Sequence, residues 1–199
     1  MTITDICNMA LSYISKGSIL SLDDGSEEAT QCKIHYDSCR SLMLRTYTWG
    51  FARRVVKLAA LDESLPEWRF VYAYPAKCCA VRLIYNEDTA ADKYTAQKAP
   101  WDAVIVSDNT RAIATNVEEA WAEYTRDVTN TDVFPPEFVQ ALAHFLASQI
   151  ALPLTGSGAI METQYQMFQA FLSTAKKQDA QERNMPPDEK TPYQMARFS

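Results

Sequence analysis

Residues 134–154 read FPPEFVQALAHFLASQIALPL, and this stretch decides the fold, because helical periodicity restarts here after a long strand-like region. Pro135-Pro136-Glu137 is a helix start, where proline costs little since first-turn N–H groups have no intrahelical partner. Phe138, Leu142, Phe145, Leu146 and Ile150 then recur at steps of three and four and form one apolar stripe. Pro153 and the 155–158 stretch TGSG are expected to break the helix. Met161, Tyr165, Phe168, Leu172 and Ala175 resume the same spacing in a longer one. Beyond 184 the tail MPPDEKTPYQMARFS has three prolines and little periodicity, which predicts an extended docking arm.

A second helical pair lies at the other end of the chain. Residues 5–16 carry Ile6, Ala10, Leu11 and Ile14 at helical spacing, with Thr4 expected as N-cap and Gly17 as terminator. Ser26 caps the next helix, in which Ala29, Cys32, Tyr36, Cys39 and Met43 form a stripe. Between the pairs, residues 46–130 are rich in Val, Ile, Tyr and Trp and punctuated by Pro, Asp and Asn. Strands at 104–106 and 112–114 flank the turn signal Asp108-Asn109, and residues 120–126 are expected to join them as the third strand of an antiparallel meander. Further strands are expected at 55–58, 70–74, 80–85 and 93–96. A lone amphipathic pair leaves apolar surface exposed, so the terminal pairs should pack together. The fold class is α+β: an antiparallel helical bundle from residues 1–48 and 131–184, an inserted antiparallel β-rich domain at 49–130, and an extended tail at 185–199.

The bulk properties allow this architecture without a metal or a disulfide. The chain has 199 residues, 47% hydrophobic and 22% charged, enough to bury a core unaided. A formal charge of -6 gives no reason to expect a dedicated binder of nucleic acid or anionic membrane. The start MTITDIC lacks the basic and apolar regions of a secretory signal. The apolar run 138–154 is interrupted by Gln140, His144, Ser148 and Gln149, so no membrane-spanning helix is expected. Five cysteines, Cys7, Cys32, Cys39, Cys78 and Cys79, lack CxxC spacing and read as reduced thiols.

Catalytic patterns are missing. A Ser/His/acid triad would need His35 or His144, and neither sits in a recognisable motif; His144 reads as a structural histidine. Five glycines without GxGxxG or GxxxxGK spacing offer no phosphate cradle. Glu118, Glu119 and Glu123 could form a glycosidase-like carboxylate pair, against the plainer reading of an exposed acidic strand face. Cys78-Cys79 reads as small buried residues, since adjacent strand side chains point to opposite faces. No cofactor and no metal are expected.

Charge is distributed unevenly. Arg40, Arg45, Arg53, Arg54 and Lys57 occur with no acidic residue between them, whereas residues 87–137 carry a net -7. Complementary patches on one chain suit a heterologous contact between neighbouring subunits. The alternative is that the basic residues solvate one face.

The stretch 6–59, ICNMALSYISKGSILSLDDGSEEATQCKIHYDSCRSLMLRTYTWGFARRVVKLA, resembles the opening of the podoviral tail tubular protein A, or head-to-tail adaptor, family. The resemblance rests on Asn8-Met9-Ala10-Leu11, the loop from Ile19 to Asp23, Ala29, Arg40, Leu44-Arg45 and Trp49-Gly50-Phe51-Ala52-Arg53. It continues through Tyr74-Pro75 with Cys78, Phe134-Pro135-Pro136-Glu137-Phe138 and Ala196-Arg197; Gly50 stands where members often carry Asn. What the resemblance implies is a structural, non-enzymatic virion protein: a twelve-subunit ring between the portal protein and the tail nozzle (tail tubular protein B). Double-stranded DNA would pass transiently through it during ejection, without membrane insertion. Arg40, Arg45, Arg53, Arg54, Lys57, Met185, Pro186, Pro187, Tyr193, Arg197 and Phe198 are then the expected subunit and portal contacts. Two rivals are a tail-associated polysaccharide or peptidoglycan hydrolase using Glu118, Glu119 and Glu123, and a nucleic-acid-binding module using the basic run.

Overall fold

The computed structural model describes residues 1–90 and 99–183. The expected strand at 93–96 and the tail at 185–199 lie outside these residues. Two helices, α1 (Ile3–Tyr13) and α2 (Glu27–Thr46), precede six strands. The strands are β1 (Arg53–Lys57), β2 (Phe70–Ala73), β3 (Cys78–Tyr85), β4 (Trp101–Val106), β5 (Thr110–Thr115) and β6 (Trp121–Arg126). Helices α3 (Pro136–Thr155) and α4 (Gly158–Glu182) follow. The protein is thus mixed helix and sheet, with two antiparallel three-stranded sheets between the helices.

Helix α1 begins earlier than its apolar spacing suggests. The Thr2 hydroxyl accepts from Asp5 N (3.1 Å) and the Asp5 carboxylate accepts from Thr2 N (2.7 Å), a reciprocal capping box that Thr4 has no residue to match. The terminator is Ser15 rather than Gly17: it adopts φ +58°, and Lys16 N returns to Leu11 O at 2.9 Å. Helix α2 follows expectation, with Ser26 Oγ accepting from Ala29 N (3.2 Å) and the whole stripe Ala29, Cys32, Tyr36, Cys39 and Met43 buried.

Helix α3 is the hub, packed against α1, α2 and α4. It is long and apolar enough to pass for a membrane span, but 67% of its apolar window is buried by the rest of the chain, the environment of a core helix. Pro153 does not break it. The helix runs on to Thr155 and ends at Gly156, φ +68°, whose N–H reaches Leu152 O. Gln149 and Pro153 lie on its exposed side, where the carbonyl that the proline cannot serve meets water.

Helix α4 is rotated relative to its expected stripe. Phe168 and Ala175 are buried, but Met161 and Tyr165 are exposed, and Gln164 and Asp179 take buried places instead. Both polar residues have partners there: Gln164 Oε1 meets His144 Nδ1 at 2.8 Å while its Nε2 donates to Tyr13 O, and Asp179 accepts from Gly50 N.

The expected single meander is replaced by two sheets, ordered β1-β6-β3 and β2-β5-β4. The β4–β5 hairpin forms as expected, closing through Asn109 at φ +58°, but β6 leaves it and pairs with β1 and β3. Ala122, Glu123, Tyr124 and Thr125 are all buried, so β6 is covered on both faces and takes a central position. Leu58, Tyr72, Ile84, Ile113, Ala120 and Ala122 form a second core between the sheets, separate from the helical one.

Candidate functional site

Arg40, Arg45 and residues 49–53 lie at the join between helices and sheets, and Asn8 lies within the helical part. Asn8 on α1 holds the following loop at both ends of one peptide, its Nδ2 donating to Ile19 O (3.0 Å) and its Oδ1 accepting from Ile19 N (2.8 Å). At the far end of α2, Trp49 is 1% exposed; its indole N–H donates to Met43 O, and its ring meets Phe138 edge-on at 5.0 Å. Phe51 packs on Phe138 and Phe134. An aromatic cluster thereby seats the start of α3 against the loop that leads into β1.

The end of α4 clamps the same loop. Asp179 Oδ1 accepts from Gly50 N (2.7 Å), Arg183 donates to Thr48 O, and the two side chains lie 3.7 Å apart. A Cβ on residue 50 would come within 3.1 Å of Arg183 Cδ and 3.2 Å of Asp179 Oδ1, so a larger residue here would push these two side chains by a few tenths of an ångström. Burial raises the Asp179 carboxyl above the ordinary carboxylate range, against the opposing pull of the Gly50 N–H and Arg183. A small cleft lies beside the clamp and is lined by Trp49, Glu137, Phe138, Gln178, Asp179 and Glu182.

The basic run does not form one surface. Arg40 is 4% exposed; its guanidinium pairs with Asp127 and Asp37 and donates to Val128 O (2.8 Å), tying α2 to the segment after β6. Arg45 donates to Cys79 O on β3. Antiparallel pairing of β1 with β6 lets Arg53 reach Glu123 (2.7 Å), while Lys57 meets Glu119 at 3.2 Å. Three of the basic residues, Arg40, Arg53 and Lys57, therefore meet acids of the 87–137 stretch within one chain. Arg54 and Lys57 are exposed, and Arg54 bonds to the backbone carbonyls of Phe51 and Arg53. Met185, Pro186, Pro187, Tyr193, Arg197 and Phe198 fall outside the described residues.

His144, Glu123 and the buried cysteines occupy packed or paired positions. His144 lies between the rings of Tyr13 (4.1 Å) and Phe171 (4.9 Å) and is held by Gln164. Because Gln164 Nε2 donates to Tyr13 O, its Oε1 faces the histidine, and Nδ1 is the protonated nitrogen. Glu123 is 1% exposed beside Arg53, whereas Glu118 and Glu119 are exposed before β6. Burial pushes the Cys78 and Cys79 thiols up, which disfavours a thiolate nucleophile. Cys7, Cys32 and Cys39 are in the helical core; the Cys32 thiol beside Cys7 and burial both push Cys7 up, and burial takes Cys39 to about 12.

Sequence reasoning missed three residues that organise this region: Arg82, Asp127 and Asp179. Arg82 Nη2 donates to the carbonyls of Leu44 (3.2 Å), Arg45 (3.1 Å) and Tyr47 (2.8 Å), closing the C-terminus of α2 with a cation from β3. Its signal was available, since it is the single charge in the strand CCAVRLIY. Asp127 and Asp179 had no comparable local mark. No protein-family model and no curated protein matches the chain.

Proposed function

We propose that this protein is a structural virion component, a head-to-tail adaptor of the tail tubular protein A kind. Twelve copies form a ring between portal and nozzle and line part of the channel for DNA ejection. In this reading the helices pack as an antiparallel bundle that makes the ring and faces the portal. The β-rich part meets the nozzle, and residues 185–199 run along a neighbour or the portal.

One observation carries the reading. The residues that carry the resemblance to the adaptor family are framework residues here: Asn8 fixes the loop after α1, Arg40 ties α2 to the segment after β6, and Trp49 to Arg53 connect helices and strands. Framework residues specify a fold, so a resemblance in them supports a similar architecture, and the role is carried over from it by analogy alone. A mildly acidic chain suits a passage that must not retain duplex DNA.

Phage particles assembled without this chain should contain heads and portals but no attached tail, and supplying the chain should restore attachment. Normally tailed particles in its absence would overturn the proposal. Loss of glycan cleavage alone, with tails attached, would favour the hydrolase reading.

A further inference from the structure

Helices α2 and α4 each bury one face against α3, so their outer faces point away from this hub. On α2 the residues opposite the buried stripe are Glu27, Ile34, Ser38 and Arg45, all exposed, with Leu42 beside them. Ile34 is 60% and Leu42 50% exposed, so this outer face carries two large aliphatic side chains between an acid at its start and a base at its end. Arg45 gives one guanidinium nitrogen to Cys79 O and is otherwise exposed.

The outer row of α4 has the same layout. Opposite its buried Gln164, Phe168 and Ala175 run Glu162, Gln166, Ala170, Ser173 and Lys177, again all exposed. No charged residue lies between Glu162 and Lys176, although most of that surface faces solvent. An outward helix face of this length without charge suits burial against another helix better than permanent contact with water. Glu27 and Lys177 take part in no ion pair among the described residues.

The two rows fit each other in one orientation. Antiparallel packing with Glu27 opposite Lys177 sets Ile34 opposite Ala170, Ser38 opposite Gln166 and Leu42 opposite Glu162, because both helices rise equally per residue. Arg45 then lies one turn beyond Leu42, within side-chain reach of Glu162. Parallel packing would set Glu27 toward Glu162 and Arg45 toward Lys177. Charge therefore selects the antiparallel order, and the small side chain of Ala170 leaves room for Ile34. Two α2 helices packed antiparallel would also join Glu27 to Arg45, but that contact closes after two copies, whereas a ring needs two different faces.

We propose that the outer face of α2 on one copy packs antiparallel against the outer face of α4 on the next, with Ile34 seated at Ala170 and charge pairs at both ends, Glu27 with Lys177 and Arg45 with Glu162. The contact is heterologous and propagates from copy to copy until rotation closes it. It rests on the ring reading above and supplies that ring with a specific subunit contact.

The experiment is disulfide trapping of the purified full chain. Ile34→Cys and Ala170→Cys, both at exposed positions, are mixed at about 100 μM and oxidised with diamide, beside the wild type as a control for native thiols. The mixture should form a covalent dimer through residues 34 and 170 about tenfold faster than either variant alone, and a chain carrying both substitutions should form a ladder beyond the dimer. Adding Glu27→Lys to the first chain should slow trapping, and adding Lys177→Glu to the second should restore it. Thermal unfolding midpoints check that the variants fold, and Ser38→Cys with Gln166→Cys is the alternative facing pair. Trapping no faster in the mixture than in one variant alone, a ladder that stops at the dimer, or trapping indifferent to the charge reversals would each overturn the proposal. If the ladder forms but no chain binds a portal ring, the contact stands and the adaptor reading falls; if chains load onto portals and the 34–170 disulfide does not form there, the adaptor reading stands and the contact falls.

Discussion

Buried polar residues are what set this protein's register at the residue scale. Gln164 takes the inward position on α4 that the apolar spacing assigned to Met161 and Tyr165, and Asp179 continues the buried side one turn past Ala175, each inward polar group having a fixed partner. Burial raises the Asp179 carboxyl, so the folded state holds its proton more tightly than the unfolded chain does. Stability from this group therefore falls as pH rises from the ordinary value of 3.8 through the raised folded value, and is level above it. Asp179→Asn keeps an acceptor for Gly50 N while removing the buried charge. Urea unfolding at several pH values should show the variant gaining on the wild type as pH rises through that window. A variant that loses ground there would mean that Arg183 governs the site instead of burial.

At the scale of elements, the helix ends and the strand partners were the hardest features to read. The stripe of α2, the start of α3 and the β4–β5 hairpin were legible, because each depends on spacing or turn chemistry within a few residues. The placement of β6 was not, since its pairing with β1 and β3 is a long-range choice set by burial on both faces. The same limit hid the role of Arg82, whose acceptors at Leu44, Arg45 and Tyr47 lie on another element. Replacing it with methionine keeps the stem but leaves three carbonyls without their cation. Arg82→Met should destabilise the chain by about 1–3 kcal/mol in chemical denaturation. A change below about 0.5 kcal/mol would show that solvent serves those carbonyls equally well.

For the whole molecule, the two cores are joined mainly through α2, by Arg40 to Asp127, Arg45 to Cys79 and Arg82 to the helix end. Part of the basic run that looked like an outer patch serves this internal join, Arg40 through Asp127 and Arg45 through the Cys79 carbonyl, a use that sequence could not distinguish from a subunit contact before strand order was known. Of the basic run Arg45, Arg54 and Lys57 stay exposed, and of the acidic stretch Glu87, Asp88, Asp102, Glu118, Glu119 and Asp132 do. The central claim is that this chain is a ring subunit that seats on a portal, and native mass measurement of the chain mixed with its phage's portal ring tests it most directly. The adaptor reading predicts a complex heavier than the portal by twelve copies of a 22.5 kDa chain; a portal whose mass does not change would contradict it.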